Sequence, residues 1–272
     1  MHLGSLIAAL GSYLDARAQG GGWLVRMEDL DRERVVPGVD AQLLRTLETF
    51  GLEWDGTVAY QSTRTALYAQ ALDELRSGAL TFECSCSRRE LADEGGYPGT
   101  CRTGARNPGP TATRFRVPAE TLSFTDRLQG ECRFDLADRG DVIIRRRDNA
   151  FAYQLAVVID DAAQGITDVV RGADLIDSTP WQIALQRALR LATPRYAHLP
   201  VVTEPDGSKL AKSRRSVALD PSQAAAQLWQ ALALLRQAPP VELKFQPTAQ
   251  ILSWGIAHWS LAPILQLRTL PV

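Results

Sequence analysis

Apolar positions recur at helical spacing over the first part of the chain. Leu3, Leu6, Ile7, Leu10 and Leu14 predict a helix almost from the first residue, and Leu43, Leu44, Leu47 and Phe50 predict another, starting near Asp40 and closed by Gly51. A third carries Tyr68, Ala71, Leu72 and Leu75 on one face, with Gly78 behind it. Between the first two, Trp23-Leu24-Val25-Arg26-Met27 reads as a buried strand running out into Glu28-Asp29-Leu30-Asp31. Val142-Ile143-Ile144 is a further strand. The run from Tyr153 to Ile159, ending in Asp160 and Asp161, lacks polar alternation and so reads as a central strand buried on both faces. A short strand over Thr167 to Asp174 follows. Ser178-Thr179-Pro180-Trp181 then opens a helix with a capping hydroxyl and a first-turn proline. Leu228, Trp229, Leu234 and Leu235, then Ile251, Leu252, Trp254 and Trp259, mark a small helical tail. Strands alternating with helices imply a parallel sheet, hence an α/β fold.

The 272 residues, 45% of them hydrophobic, can bury a substantial core in one large domain or two smaller ones. No apolar run approaches a membrane span and no secretory signal opens the chain, so a cytoplasmic protein is expected. With a net charge of -1, any surface for nucleic acid must be local. Candidate clusters are Arg88-Arg89, Arg145-Arg146-Arg147, and Lys212 with Arg214-Arg215, each of which also reads as a solvated face balanced by nearby acids.

Open α/β sheets bind ligands at the carboxyl ends of central strands. Arg171 there offers a planar fork for bidentate pairing with a carboxylate, Tyr153 a hydroxyl, and Glu28 an acceptor for an ammonium group, a set suited to an amino acid. The plainer alternative gives Arg171 an internal ion pair with Asp168 or Asp174, places Tyr153 in the core and leaves Asp29 or Asp31 to cap a helix. His2 and Gly4 at the first helix entrance suit a phosphate, or are simply a loose terminus. Lys209 and Lys212 flank small residues in a loop that suits closure over a phosphorylated ligand, or is a solvated basic loop. Cys84, Cys86 and Cys101 gather within one short stretch containing Tyr97, which suits tetrahedral zinc or three reduced thiols; Cys132 reads as an ordinary buried thiol.

Taken in order, His2-Leu3-Gly4-Ser5, Arg26-Met27-Glu28-Asp29-Leu30-Asp31, the Cys84, Cys86, Tyr97, Cys101 set, Phe151 to Asp174, and Lys209-Leu210-Ala211-Lys212-Ser213 resemble the catalytic core of the glutamyl-type class I aminoacyl-tRNA synthetases, across nearly the whole chain. The closest likeness is to members that modify the queuosine base in the anticodon loop of tRNA(Asp). The resemblance implies a Rossmann-like catalytic domain over residues 1–80 and 139–215, an inserted zinc-containing subdomain over 81–138, and a helical C-terminal extension over 216–272. It implies that Glu28, Tyr153 and Arg171 hold L-glutamate, and that His2, Gly4, Lys209 and Lys212 hold ATP, with His2 and Lys212 serving catalysis. It further implies that Cys84, Cys86, Tyr97 and Cys101 hold structural Zn2+, and that Mg2+ accompanies ATP. The expected reaction forms glutamyl adenylate without tRNA and passes glutamate to tRNA(Asp) at its anticodon arm; a monomer with no membrane partner is expected.

Two departures bear on that expectation. The family's first strand would lie before Met1, so a start upstream of Met1 is expected, and Ala211 stands where a serine is common. Residues 214–272 leave little room for the separate anticodon-binding region of an ordinary glutamate–tRNA ligase. A truncated ligase core and a non-catalytic RNA-binding remnant remain alternatives.

Overall fold

The computed structural model describes residues 1–31, 33–87, 89–91, 96–203 and 218–271. Helix α1 spans Leu3–Ala18, followed by strand β1 (Arg26–Met27), helix α2 (Val39–Thr49), strand β2 (Ala59–Tyr60), helix α3 (Thr65–Ser77) and strand β3 (Thr81–Cys84). Strands β4 (Ala112–Phe115), β5 (Thr121–Asp126) and β6 (Gly130–Asp135) lead through the short helix α4 (Leu136–Arg139) to β7 (Val142–Arg145). Helix α5 (Tyr153–Ala163), strand β8 (Asp168–Gly172), helix α6 (Thr179–Ala188) and strands β9 (Arg195–Leu199) and β10 (Val201–Thr203) follow. The chain then forms α7 (Ala224–Leu234), α8 (Thr248–His258) and β11 (Thr269–Pro271).

The order β6-β5-β9-β8 makes one sheet, in which β8 and β5 both run parallel to β9 while β6 returns antiparallel to β5. Strands β1 and β2 form a separate parallel pair, as do β10 and β11. The three-stranded sheet β3-β4-β7 is antiparallel. Thus the fold is α/β with parallel pairing, but the stretch after Thr81 does not stand apart: β3 and β4 share a sheet with β7, and β5 bridges to β9 at Asp126 and Tyr196.

The largest departure from the sequence pattern is the run beginning at Tyr153, expected as a central strand and found as helix α5. Its 11 residues are long for a strand and include Ala156, Ala162 and Ala163, which favour helix. Polar alternation is missing because α3 and α6 enclose the helix, burying Leu155, Ala156, Val157, Val158, Asp160 and Asp161. Of the strand expected over Trp23 to Met27, only Arg26 and Met27 pair with β2, because Trp23 exchanges hydrogen bonds with Asp55. Strand β7 joins the antiparallel sheet instead of resuming a parallel one. Ser178 does not cap α6; the helix is entered through a 3-10 turn (Ala173–Ser178), and the Ser178 hydroxyl meets Gln154. The tail is not purely helical, since β11 pairs with β10. Neither Asp29 nor Asp31 caps a helix: Asp29 accepts from the backbone and hydroxyl of Ser62, and Asp31 pairs with Arg34 and Arg146.

Two cores hold the elements. One packs Leu6, Ile7, Leu10 and Leu14 of α1 against Leu228 and Leu232 of α7 and Ile251 and Leu252 of α8, so the tail fixes the helix whose first turn carries His2 and Gly4. The other joins α3, α5 and α6 to β4, β5 and β9. Among the described residues, no helix is long and apolar enough to cross a membrane.

Leu14 is fully buried and lies against Gly255 of α8. Leu14→Ala is expected to lower unfolding stability by about 2–5 kcal/mol, the range for a buried leucine whose cavity relaxes poorly. Urea denaturation checks this, and a loss well under about 1 kcal/mol would mean that α8 does not clamp α1 as described.

Candidate functional site

Arg171 leaves β8 next to the amino end of α5 and that of α6. Its Nε donates to His198 Nε2 at 3.2 Å, its Nη1 to the Tyr153 hydroxyl at 3.2 Å, and its Nη2 to Thr179 Oγ1 at 2.9 Å and Gln182 Oε1 at 2.8 Å. The ion pair with Asp168 is not made; that carboxylate takes Arg127 and Arg195 instead. A guanidinium has five N–H donors. Four are engaged, so among the described residues one Nη1 N–H lacks a hydrogen-bond partner. The expected bidentate fork is therefore mostly spent inside the protein. Burial raises the Tyr153 pKa against the opposing pull of Arg171, so the phenol stays protonated. Because its oxygen accepts from Arg171, its O–H is free to turn toward a ligand.

Arg171 and Tyr153 line a cavity of about 460 Å³ together with Arg26, Glu28, Val157 and Asp161. Arg26 reaches Asp161 at 2.9 Å and Glu28 at 3.7 Å, and donates to Gln164 at 2.8 Å. Its buried Nε has no hydrogen-bond partner among the described residues. Burial raises the pKa of Glu28 and of Asp161, with Arg26 opposing in both cases. The Glu28 side chain keeps 43% exposure at the cavity mouth, so solvent screens its charge, whereas that of Asp161 keeps only 11%. Arg171 and Tyr153 supply donors, and Glu28 and Asp161, beside Arg26, supply carboxylates, a mixture that suits an amino acid.

A second cavity of about 550 Å³ also reaches Arg171, and its other walls include His2, Gly4, Ser5, Leu24 and Asp174. His2 caps α1, its Nδ1 accepting from the Ser5 backbone at 3.3 Å and its Nε2 lying 3.0 Å from the Ser5 hydroxyl. Burial lowers its pKa. A side chain at Gly4 would press on that ring, so glycine keeps the first turn open. Helix amino ends carry partial positive charge, which suits this cavity to an anion. Lys209, Lys212, Arg214 and Arg215 lie outside the described residues, as does Arg88.

The thiols of Cys84, Cys86 and Cys101 lie within 4.8 Å of one another. The Tyr97 hydroxyl is 3.4 Å from Cys84 Sγ and accepts from the Cys101 backbone at 2.7 Å. Burial would raise the Cys101 pKa, but hydrogen bonds from the backbones of Arg106 and Ser85, then from Tyr97 and Cys86, bring it down to about 6. Burial and its two sulfur neighbours push Cys86 up to about 11, and burial followed by Cys84 pushes Tyr97 up. Three thiols this close together, with Cys101 the readiest to lose its proton, fit a metal ion. Cys132 lies apart and buried, its pKa raised by burial.

Sequence reasoning missed Thr179, Gln182 and His198, which bond to Arg171, and Asp126 behind His198; it placed Asp160 and Asp161 at the ligand-binding end of an expected strand and gave Arg26 no separate role. Wide separation in the chain hides the first group. The one available signal is His198 standing beside the apolar Leu199-Pro200-Val201-Val202, since a charged imidazole is costly there without a partner.

The pattern of the family "tRNA synthetases class I (E and Q), catalytic domain" matches residues 1–97 and 96–238. Curated relatives include a Glutamyl-Q tRNA(Asp) synthetase of Pseudomonas aeruginosa, 52% identical over 273 residues and covering 100% of this chain and 93% of its own length. Another of that name, from Ectopseudomonas mendocina, is 54% identical over 272 residues, covering 99% and 92%. Among solved structures, a glutamate-tRNA synthetase from Elizabethkingia anophelis superposes with a TM-score of 0.81 at 20% identity, covering 100% of this chain and 65% of that one. That likeness speaks to fold alone.

Asp161 supplies a pH test. Its raised pKa means that the folded protein holds the proton more tightly than the unfolded chain does. The associated stability is fully present below the ordinary aspartate range, near ~3.9, and is lost as pH rises through the raised value. Asp161→Asn cannot ionise, so its melting temperature relative to the unsubstituted protein should rise as pH climbs from about 4 to about 8. A difference that stays flat across that range would refute the assignment.

Proposed function

The chain belongs to the class I tRNA synthetase family for glutamate and glutamine, and we propose that it joins glutamate to ATP as glutamyl adenylate, without tRNA, and passes the glutamyl group to the queuosine base of tRNA(Asp). The observation that carries this reading is the meeting at Arg171 of two cavities, one polarised for an amino acid and the other set against the first turn of α1. The full-length likeness to relatives named Glutamyl-Q tRNA(Asp) synthetase favours this reading over a ligase core or an RNA-binding remnant.

Glu28 and Asp161 would receive the ammonium group, while the Arg171 Nη1 N–H and the Tyr153 hydroxyl would receive a carboxylate. His2, Gly4, Lys209 and Lys212 would meet the triphosphate, whose Mg2+ offsets its charge. A glutamate carboxylate oxygen attacks the α-phosphorus, the bond from that phosphorus to the α,β-bridging oxygen breaks, and pyrophosphate leaves with that oxygen. A queuosine hydroxyl then attacks the acyl carbon, loses its proton and displaces AMP. This chain's contribution is positioning together with charge stabilisation. Cys84, Cys86, Cys101 and Tyr97 would hold zinc, which supplies a structural crosslink and no chemistry at the adenylation site. The site of action would be the cytoplasm, where such tRNA is available.

Glutamate-dependent exchange of pyrophosphate into ATP, run without tRNA, is the direct test, followed by transfer of labelled glutamate to queuosine-containing tRNA(Asp). The expected result is exchange without tRNA and label confined to the anticodon fragment after nuclease cleavage. Label at the acceptor end would indicate a ligase, and RNA binding with no exchange would indicate the remnant.

Zinc is checked separately by metal analysis of the purified protein and of Cys101→Ser. About one zinc per chain is expected, lost in the variant, with easier proteolysis between β3 and β4. A protein that is isolated without zinc and is unchanged by chelator would exclude the metal.

A further inference from the structure

Arg171 can present a single donor to the cavity only if its other N–H groups are held, and the hold runs through a buried pair that lines neither of the two cavities. His198 and Asp126 are both buried, with the imidazole Nδ1 2.6 Å from Asp126 Oδ2. The other oxygen of Asp126 accepts backbone N–H groups from Leu128 at 2.9 Å, Gln129 at 2.8 Å and His198 itself at 3.2 Å. Burial opposes ionisation of this carboxyl, but the hydrogen bonds from His198, Gln129 and Leu128 prevail and lower its pKa. A carboxylate so placed demands the proton on Nδ1.

Nε2 is then a bare acceptor, and two donors converge on it. Arg171 Nε lies at 3.2 Å and Thr179 Oγ1 at 3.1 Å. Thr179 already accepts from Arg171 Nη2, so its own hydroxyl proton is available for His198. The opposite tautomer would set an N–H against an N–H beside a positive charge. Gln182, which takes the remaining Nη2 proton, is itself fixed by Gln154 at 2.9 Å. With Nε and Nη2 locked, the guanidinium plane can turn only one N–H, on Nη1, toward the cavity, next to the Tyr153 hydroxyl. Two convergent donors call for a ligand with acceptors and no competing proton, which selects a carboxylate over an amide.

We propose that Asp126 and His198 are positioning residues: Asp126 sets the tautomer of His198, and His198 Nε2 aims Arg171 at a carboxylate of the substrate. This rests on the reading of the cavity as the glutamate site.

The rival account is a core histidine of β9, stacked on Tyr196 at 6.0 Å, whose sole use is to satisfy Asp126. Two substitutions separate them. In His198→Asn the amide can still donate to Asp126 but cannot reach Arg171. In His198→Gln an amide oxygen can take the place of Nε2 and accept from Arg171, at the expense of Asp126. Glutamate half-saturation in tRNA-free pyrophosphate exchange should rise about tenfold or more in His198→Asn, with ATP half-saturation within about twofold, and His198→Gln should recover most of the loss. Unchanged glutamate half-saturation in His198→Asn, or equal losses in two folded variants, would overturn the proposal.

A second measurement is independent of activity and of whether the variants fold. Nitrogen NMR of His198 in the unsubstituted protein should show Nδ1 protonated and Nε2 bare at neutral pH; a protonated Nε2 would overturn the proposal. If the unsubstituted protein fails to exchange with glutamate, the functional reading falls, whereas the tautomer still decides the Asp126–His198 link.

Discussion

A guanidinium half-buried at the end of a parallel strand must be given partners, and much of this structure follows from meeting that demand. Leaving such a charge unpaired costs several kcal/mol. The partners of Arg171 come from three elements: Tyr153 from α5, Thr179 and Gln182 from α6, and His198 from β9. Satisfying one side chain therefore ties two helices to the ends of β8 and β9. The same bonds shape the cavity, since among the described residues they leave a single Arg171 N–H without a partner. Stability and recognition depend here on one set of contacts.

A second buried charge performs the matching task on the other side of α5. Asp160 is fully buried and accepts from Arg64 at 2.5 Å, Tyr68 at 2.6 Å and Gln61 at 2.9 Å, which fastens α3 and the turn before it to α5. Its neighbour Asp161 turns to Arg26 at the cavity wall. Adjacent residues on a helix point about 100° apart, so one carboxylate serves the framework and the next serves the site. On a strand they would face opposite sides of a sheet, and Asp160 and Asp161 could not lie around the same pair of elements.

The thiol cluster is attached to the framework by its surroundings as much as by its own chain. Cys84 ends β3, which pairs with β4, and the Arg114 guanidinium of β4 lies 3.8 Å from the centre of the Tyr97 ring. Gly140, at φ +69°, runs alongside Tyr97 so closely that a side chain there would collide with its backbone. Arg102 crosses to Asp141 at 2.6 Å and also reaches the Val117 carbonyl. The loop bearing Cys101 is thus bound to the strand that leads back toward α5.

The helices α1, α2, α3 and α6 were legible because each shows its core face at helical spacing, and the glycines Gly51 and Gly78 mark two of their ends. Glu28, Tyr153 and Arg171 could be singled out as site candidates from residue chemistry near predicted element ends, and the three cysteines from their proximity in the chain. The identity of α5 was not legible, since an apolar run bears the same pattern whether it is a central strand or an enclosed helix. Nor were the surroundings of Arg171 and of His198 behind it, because residues 126, 153, 171, 179, 182 and 198 share no spacing rule. Which side chains could carry charge, accept protons or bind metal was readable along the chain, because those are properties of single residues and short windows. Which N–H of Arg171 remains for a ligand and which nitrogen of His198 stays bare emerge only in the folded chain, because both depend on hydrogen bonds that close between distant segments.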